Sequence, residues 1–157
     1  MRQKKYELIS ETKSFLGKTL YRIKALISFS DVKIGDIGGF VESDKNLSHD
    51  GDAWVYGDAR VWGDARVCGD ARVWGNARVA TKSSVFWISC IGSRNGTTTF
   101  FKSKNKEIKV ACGCFYGTLD EFSQKVNQTH GDSFYGKCYQ ATIELAKIRL
   151  GESDDAK

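Results

Sequence analysis

Rings and guanidinium groups recur at a fixed interval between Gly51 and Ala80, where a six-residue unit is written as GDAWVY, GDARVW, GDARVC, GDARVW and GNARVA. The side chains there that could do chemistry are Trp54, Tyr56, Arg60, Trp62, Arg66, Arg72, Trp74 and Arg78. Aromatic rings stack on planar bases, and guanidinium groups hold phosphate or carboxylate through charge-assisted hydrogen bonds. The expectation is a site that captures an anionic, nucleotide-like ligand. The same pattern holds no nucleophile beside a base, so no catalytic residue is assigned. Of the two histidines, His49 sits at the end of an imperfect first repeat, and His130 precedes Gly131 at a helix end, where the helix dipole favours a cation.

Cysteine and charge narrow the classes further. Five cysteines (Cys68, Cys90, Cys112, Cys114, Cys138) are odd in number and irregular in spacing, which does not make a disulfide framework. Cys112-Gly113-Cys114 lacks the two-residue gap of a zinc or redox pair, so neither a metal nor a cofactor is expected. The 24 Lys and Arg against 19 Asp and Glu leave a net +5, concentrated in residues 1–33 and 81–117. Lysines of this kind on strand edges discourage edge pairing, and duplex nucleic acid is not the expected partner. No apolar run approaches the ~20 residues of a spanning helix, and residues 1–7 lack the apolar centre of a signal peptide. A soluble protein of the cytoplasm, without a membrane partner, is the expectation.

The elements that must position these residues follow from the repeat period. Six residues fit no helix, whereas a four-residue strand Ala-x-Val-x with a two-residue Gly-Asp corner fits a parallel β-helix. Ala and Val then point inward and the intervening residues outward. Glycine suits a corner whose backbone a side chain would penalise, and Asp or Asn hydrogen-bonds the turn backbone. The unit resembles the left-handed hexapeptide β-helix, which implies three hexads, or 18 residues, per coil. The phase runs from Gly39 to Gly92, with Val41, Leu47, Ser83 and Ser89 in the Ala slot, for about three coils. At the 18-residue offset, Trp54 stacks on Arg72 and Tyr56 on Trp74 on one side. Arg60 stacks on Arg78 beside Trp62 on a second side, and Ser48, Arg66 and Ser84, with Asp50, Cys68 and Phe86, line the third. An exposed apolar patch of three to four large rings calls for a partner or a ligand.

The expected fold class is therefore mainly β: a short left-handed parallel β-helix, an N-terminal β cap, a β-hairpin and a C-terminal helical hairpin. The corresponding ranges are 1–38, 39–92, 93–117 and 118–151, with a disordered tail at 152–157. Lys5–Ile9 and Thr19–Leu26 read as strands that cap the first coil. Asn95-Gly96 is a turn signal between strands. Thr118-Leu119-Asp120-Glu121 is a capping box that opens a helix stopped by Gly131. A second helix, from Ser133 to Leu150, carries Phe134, Cys138, Ala141, Leu145 and Ile148 on one stripe, for core or for an interface.

Beyond the repeat, the chain resembles a family of phage- and prophage-encoded hexapeptide-repeat proteins, labelled transferase-like from the repeat alone. The resemblance rests on Leu20-Tyr21-Arg22-Ile23-Lys24-Ala25, Gly35-Asp36-Ile37-Gly38-Gly39-Phe40-Val41-Glu42, Asn46-Leu47-Ser48 and Ile91-Gly92-Ser93-Arg94. It also includes Gly113-Cys114-Phe115-Tyr116-Gly117-Thr118-Leu119-Asp120-Glu121-Phe122 and Thr129-His130-Gly131-Asp132. It implies a phage product acting in the infected cell, where small accessory proteins counter host immunity. Three functions follow as expectations. The first is a non-catalytic oligomer that sequesters a nucleotide-like signal. The second is an inhibitor docked on a host defence protein. The third is an acyltransferase, since hexapeptide acyltransferases, which the chain resembles in its repeat, use a His as general base and hold the acyl carrier between adjacent subunits. Association as a homotrimer through the flat sides is expected for such folds.

Overall fold

The computed structural model describes residues 3–151, so the tail expected to be disordered lies outside the described residues. The long strands form outside the repeat. β1 (Tyr6–Phe15) and β2 (Lys18–Ala25) make an antiparallel hairpin, and β2 pairs antiparallel with β3 (Ile37–Val41). The repeat adds four strands of two residues each: β4 (Trp54–Val55), β5 (Arg60–Val61), β6 (Arg72–Val73) and β7 (Arg78–Val79). β5 and β7 extend the first sheet in parallel, giving the order β1-β2-β3-β5-β7, while β4 and β6 form a separate parallel pair.

Within the repeat, alternation works as the sequence requires. Ala53, Val55, Ala59, Val61, Ala65, Val67, Ala71, Val73, Ala77 and Val79 are all buried in one apolar cluster. Parallel pairing has the 18-residue offset, with Trp54 opposite Arg72 and Arg60 opposite Arg78. At the corners, Gly51 and Gly63 have φ near +69° and +64°, and a Cβ on either would stand 2.5 Å from a backbone oxygen of the next level. No other residue type fits there without strain.

The expected left-handed β-helix is not the fold. The sheets are mixed or antiparallel, none closes on itself, and the wholly parallel one has two strands only. Two causes act together. The copies are deep enough for only one or two pairings per side, and the third copy contributes a single bridge, Leu47 to Val67. The edge of β3 is taken by antiparallel β2, so the repeat is annexed to a hairpin. The downstream phase also ends early. After a 3₁₀ turn at Lys82–Ser84, β8 (Val85–Ile91) leaves the repeat and joins β9 (Gly96–Lys102), β10 (Ile108–Cys112) and β11 (Phe115–Thr118) in an antiparallel sheet of order β11-β10-β9-β8. With two helices beside these sheets, the protein is a mixed α/β structure.

Two helices close the second sheet. α1 (Leu119–His130) has the expected capping box: Thr118 Oγ1 accepts from the Glu121 amide at 3.1 Å, and Glu121 Oε1 accepts from the Thr118 amide at 2.9 Å. Hydrogen bonds from the Thr118 amide and then its side chain hold the Glu121 carboxyl below its ordinary pKa. α2 (Phe134–Ala146) is capped by Ser133 and runs into a π-helical turn, Lys147–Gly151. Phe100, Val110, Phe122, Val126, Ile143, Ala146 and Leu150 form a second core between sheet and helices. α2 thus packs through Ile143 and Ala146, while Phe134, Ala141, Leu145 and Ile148 of the expected stripe face away from the body.

Candidate functional site

Chain flanking the repeat covers most of the residues expected to point into solvent. Trp54 is 1% exposed and meets Phe29 and Tyr6 edge-on, with ring centroids 5.3 and 6.1 Å apart. Tyr56 and Trp74 do stack, at 3.7 Å and 4°. The Tyr56 hydroxyl, however, donates to Asp31 at 2.8 Å, and burial with that bond raises its pKa. Arg72 donates to Ser30 at 2.6 Å and lies 3.8 Å from the Asp31 carboxylate. The loop between β2 and β3 therefore occupies the first side.

The hairpin tip occupies the second. Phe15 of β1 lies under the Arg60 guanidinium at 4.5 Å and the Arg78 guanidinium at 5.6 Å, and meets Trp62 edge-on at 5.0 Å. Burial and the neighbouring Arg60 charge lower the Arg78 pKa. The N-terminal segment also packs on the start of the repeat. Lys5 Nζ donates to the Ala53 and Gly51 carbonyls at 2.6 and 3.2 Å, and the Tyr6 hydroxyl to the Leu47 carbonyl at 2.6 Å. Removal from water lowers the Lys5 amine to about 8, against the opposing pull of Asp52, Asp50 and Asp70.

The third side stays open. There a cavity of about 330 Å³ is lined by Arg66, Cys68, Lys82, Val85, Phe86, Trp87 and Arg149. Each comes from a different local device. Arg66 and Cys68 alternate outward on either side of buried Val67 in the third repeat copy. Lys82 is placed by the 3₁₀ turn, whose N-cap Thr81 accepts from the Ser83 amide at 3.2 Å. Phe86 and Trp87 are early residues of β8. Phe86 is backed by Phe100, with centroids 5.5 Å apart, and the Trp87 indole lies against the Gly69 corner. Arg149 arrives from the π-helical turn and donates to the Lys82 carbonyl at 3.5 Å.

The lining has a distinct electrostatic character. Three cationic side chains surround it and no carboxylate contributes to it. Among the described residues, Arg66 and the Lys82 ammonium make no ion pair or hydrogen bond. Their charges are therefore available to an incoming anion.

No family model matches this chain, and no curated protein matches it either.

Of the eight residues expected in one ligand site, the structure brings only Arg66 to this cavity and distributes the others over the two covered sides. Sequence reasoning placed Cys68 and Phe86 on the third side but did not assign them a role. It missed Lys82, Trp87 and Arg149. The 18-residue step from Cys68 to Phe86 was a usable signal, whereas no local pattern announces Arg149, which lies 67 residues beyond Lys82. Neither histidine reaches the cavity. The His49 ring stacks on Tyr6 at 4.2 Å and its Nδ1 accepts from the Lys5 amide, while His130 stacks on Tyr139 at 5.6 Å. No helix among the described residues is long and apolar enough to cross a membrane.

Proposed function

We propose that the protein is a non-catalytic binding protein that captures an anionic, ring-bearing small molecule, nucleotide-like in chemistry, in the open cavity. The carrying observation is the cavity's composition: three cationic and two aromatic residues line it, without a carboxylate. A volume of about 330 Å³ suits a small ligand rather than a peptide segment. A base stacked on an aromatic ring gains about 1–3 kcal/mol, and a hydrogen bond to a charged group about 1.5–3 kcal/mol. One stack with two such bonds approaches the −8 kcal/mol of micromolar affinity. A role as a sponge for a nucleotide signal in an infected bacterium rests on the sequence resemblance, with the cavity as the place of capture.

Calorimetry with AMP, a cyclic dinucleotide, adenosine and inorganic phosphate tests the reading. The nucleotides are expected to bind at least tenfold more tightly than adenosine or phosphate alone. Arg66→Glu and Lys82→Glu are each expected to weaken nucleotide binding by about ten- to a hundredfold, as loss of a charge-assisted contact requires. Trp74→Ala, remote from the cavity, leaves affinity unchanged. Nucleotide binding that survives both charge reversals, or no binding by any of these compounds at millimolar concentration, refutes the proposal.

A further inference from the structure

Helix α2 presents an apolar seam that its own chain leaves uncovered. Phe134 is 75% exposed, Ile148 68% and Leu145 45%, with exposed Ala141 and half-buried Cys138 between them. On α2 the spacing 134, 138, 141, 145 alternates four and three residues, the step of a coiled-coil a/d seam, and Ile148 follows in the π-helical turn. The face that packs on the body uses Tyr139, Ile143, Ala146 and Leu150 instead. At about 100° per residue, the part of that face on α2, Tyr139, Ile143 and Ala146, lies roughly 140° around the helix from Phe134, Cys138, Ala141 and Leu145. The seam is thus a second apolar face on a helix whose first is already satisfied.

We infer that this seam is a homodimer interface, in which α2 packs antiparallel against α2 of a second copy across a two-fold axis. The occupant is argued from self-complementarity. A two-fold axis beside Ala141 brings Cys138 near the partner's Leu145 and turns Phe134 toward the partner's π-helical turn, which carries Ile148, with the smallest side chain of the seam at the centre. The flanking charges agree. Lys137 and Glu144 occupy the same edge of the seam, and an antiparallel pairing sets Lys137 against the partner's Glu144 twice over by symmetry. A parallel pairing would bring neither pair together. Among the described residues, the Glu144 carboxylate pairs with Lys147 of the adjoining π-helical turn, an exposed pair at 3.2 Å that a stronger arrangement can share.

Light scattering after size exclusion, on the full chain, tests the inference. Near 100 µM, about the range in which modest interfaces populate, the chain is expected at roughly 35 kDa, twice its 17.5 kDa mass. Leu145→Lys with Ile148→Lys gives a monomer whose circular dichroism matches the native chain. Lys137→Glu alone weakens the dimer by about tenfold, and adding Glu144→Lys returns the affinity to near the native value, as reversed pairs of equal strength must. This double swap decides the matter even where the lysine variant fails to fold. A native chain that stays monomeric, a trimer, a dimer that survives the two lysines in a folded variant, or a swap that does not restore association overturns the inference.

Discussion

Replacing Trp54 by alanine separates a core role from a ligand-contact role. The indole is 1% exposed, edge-on to Phe29 and Tyr6, and sits where the repeat meets the N-terminal hairpin. A buried Trp removes about 200 Å² from water, which at ~25 cal/mol per Å² is about 5 kcal/mol. An extended reference chain overstates that area by roughly 10–40%, leaving about 3–4.5 kcal/mol. Each edge-on ring contact adds a fraction of its ~0.5–1.5 kcal/mol, so the expected loss is about 3–5 kcal/mol, in the usual range for this truncation. Against a total stability of about 5–15 kcal/mol this is large. Urea unfolding followed by circular dichroism measures it, with an unchanged slope showing that the same surface is exposed. Arg66→Ala, an exposed residue of the cavity, is the paired control and is expected to stay within ~0.5 kcal/mol. A loss below ~1 kcal/mol for Trp54→Ala, or an equal loss for the two variants, would refute the assignment of Trp54 to the core.

Two further outcomes follow from the geometry. The Lys5 amine titrates near 8 when folded and near 10.5 when unfolded, so between these values the unfolded chain carries the extra proton and stability rises with pH. Unfolding free energies from urea titrations are expected to climb by about 1–2 kcal/mol from pH 8 to 10 and then fall as the unfolded-state phenols of Tyr6 and Tyr56 ionise, since burial holds both above their ordinary value when folded. Lys5→Met should flatten the rise, and an unchanged rise in that variant would show that another group causes it. Cys68 lines the cavity, whereas Cys90 and Cys114 are exposed elsewhere. AMP at ten times its dissociation constant should slow Cys68 alkylation by iodoacetamide about tenfold, read by peptide mass spectrometry, and leave the two reference thiols unaffected. Equal rates with and without bound AMP would place the ligand somewhere other than this cavity.

Local chemistry made several features legible in the sequence. The inward Ala and Val, the left-handed glycine corners, the 18-residue pairing and the Thr118 capping box all depend on contacts within a few residues or on an exact repeat. The solenoid did not follow from them, because closure needs more levels of pairing than this repeat supplies and because β2 occupies the edge of β3. The stripe on α2 illustrates the same limit. Periodicity identified an apolar face, yet two faces of that helix are apolar, and only the sheet beneath it selected Ile143 and Ala146 for burial.

The amino-acid order by itself therefore determined which side chains point in or out along each short strand, since a two-residue alternation is a property of the backbone. Which outward side chains meet solvent was decided by tertiary structure alone. Phe15, Phe29 and Asp31 come from segments remote in sequence to cover Trp62, Trp54 and Tyr56, while Lys82, Trp87 and Arg149 converge on Arg66 from separate elements. Coverage and convergence depend on how long-range segments pack, and a repeat read one unit at a time contains no term for that.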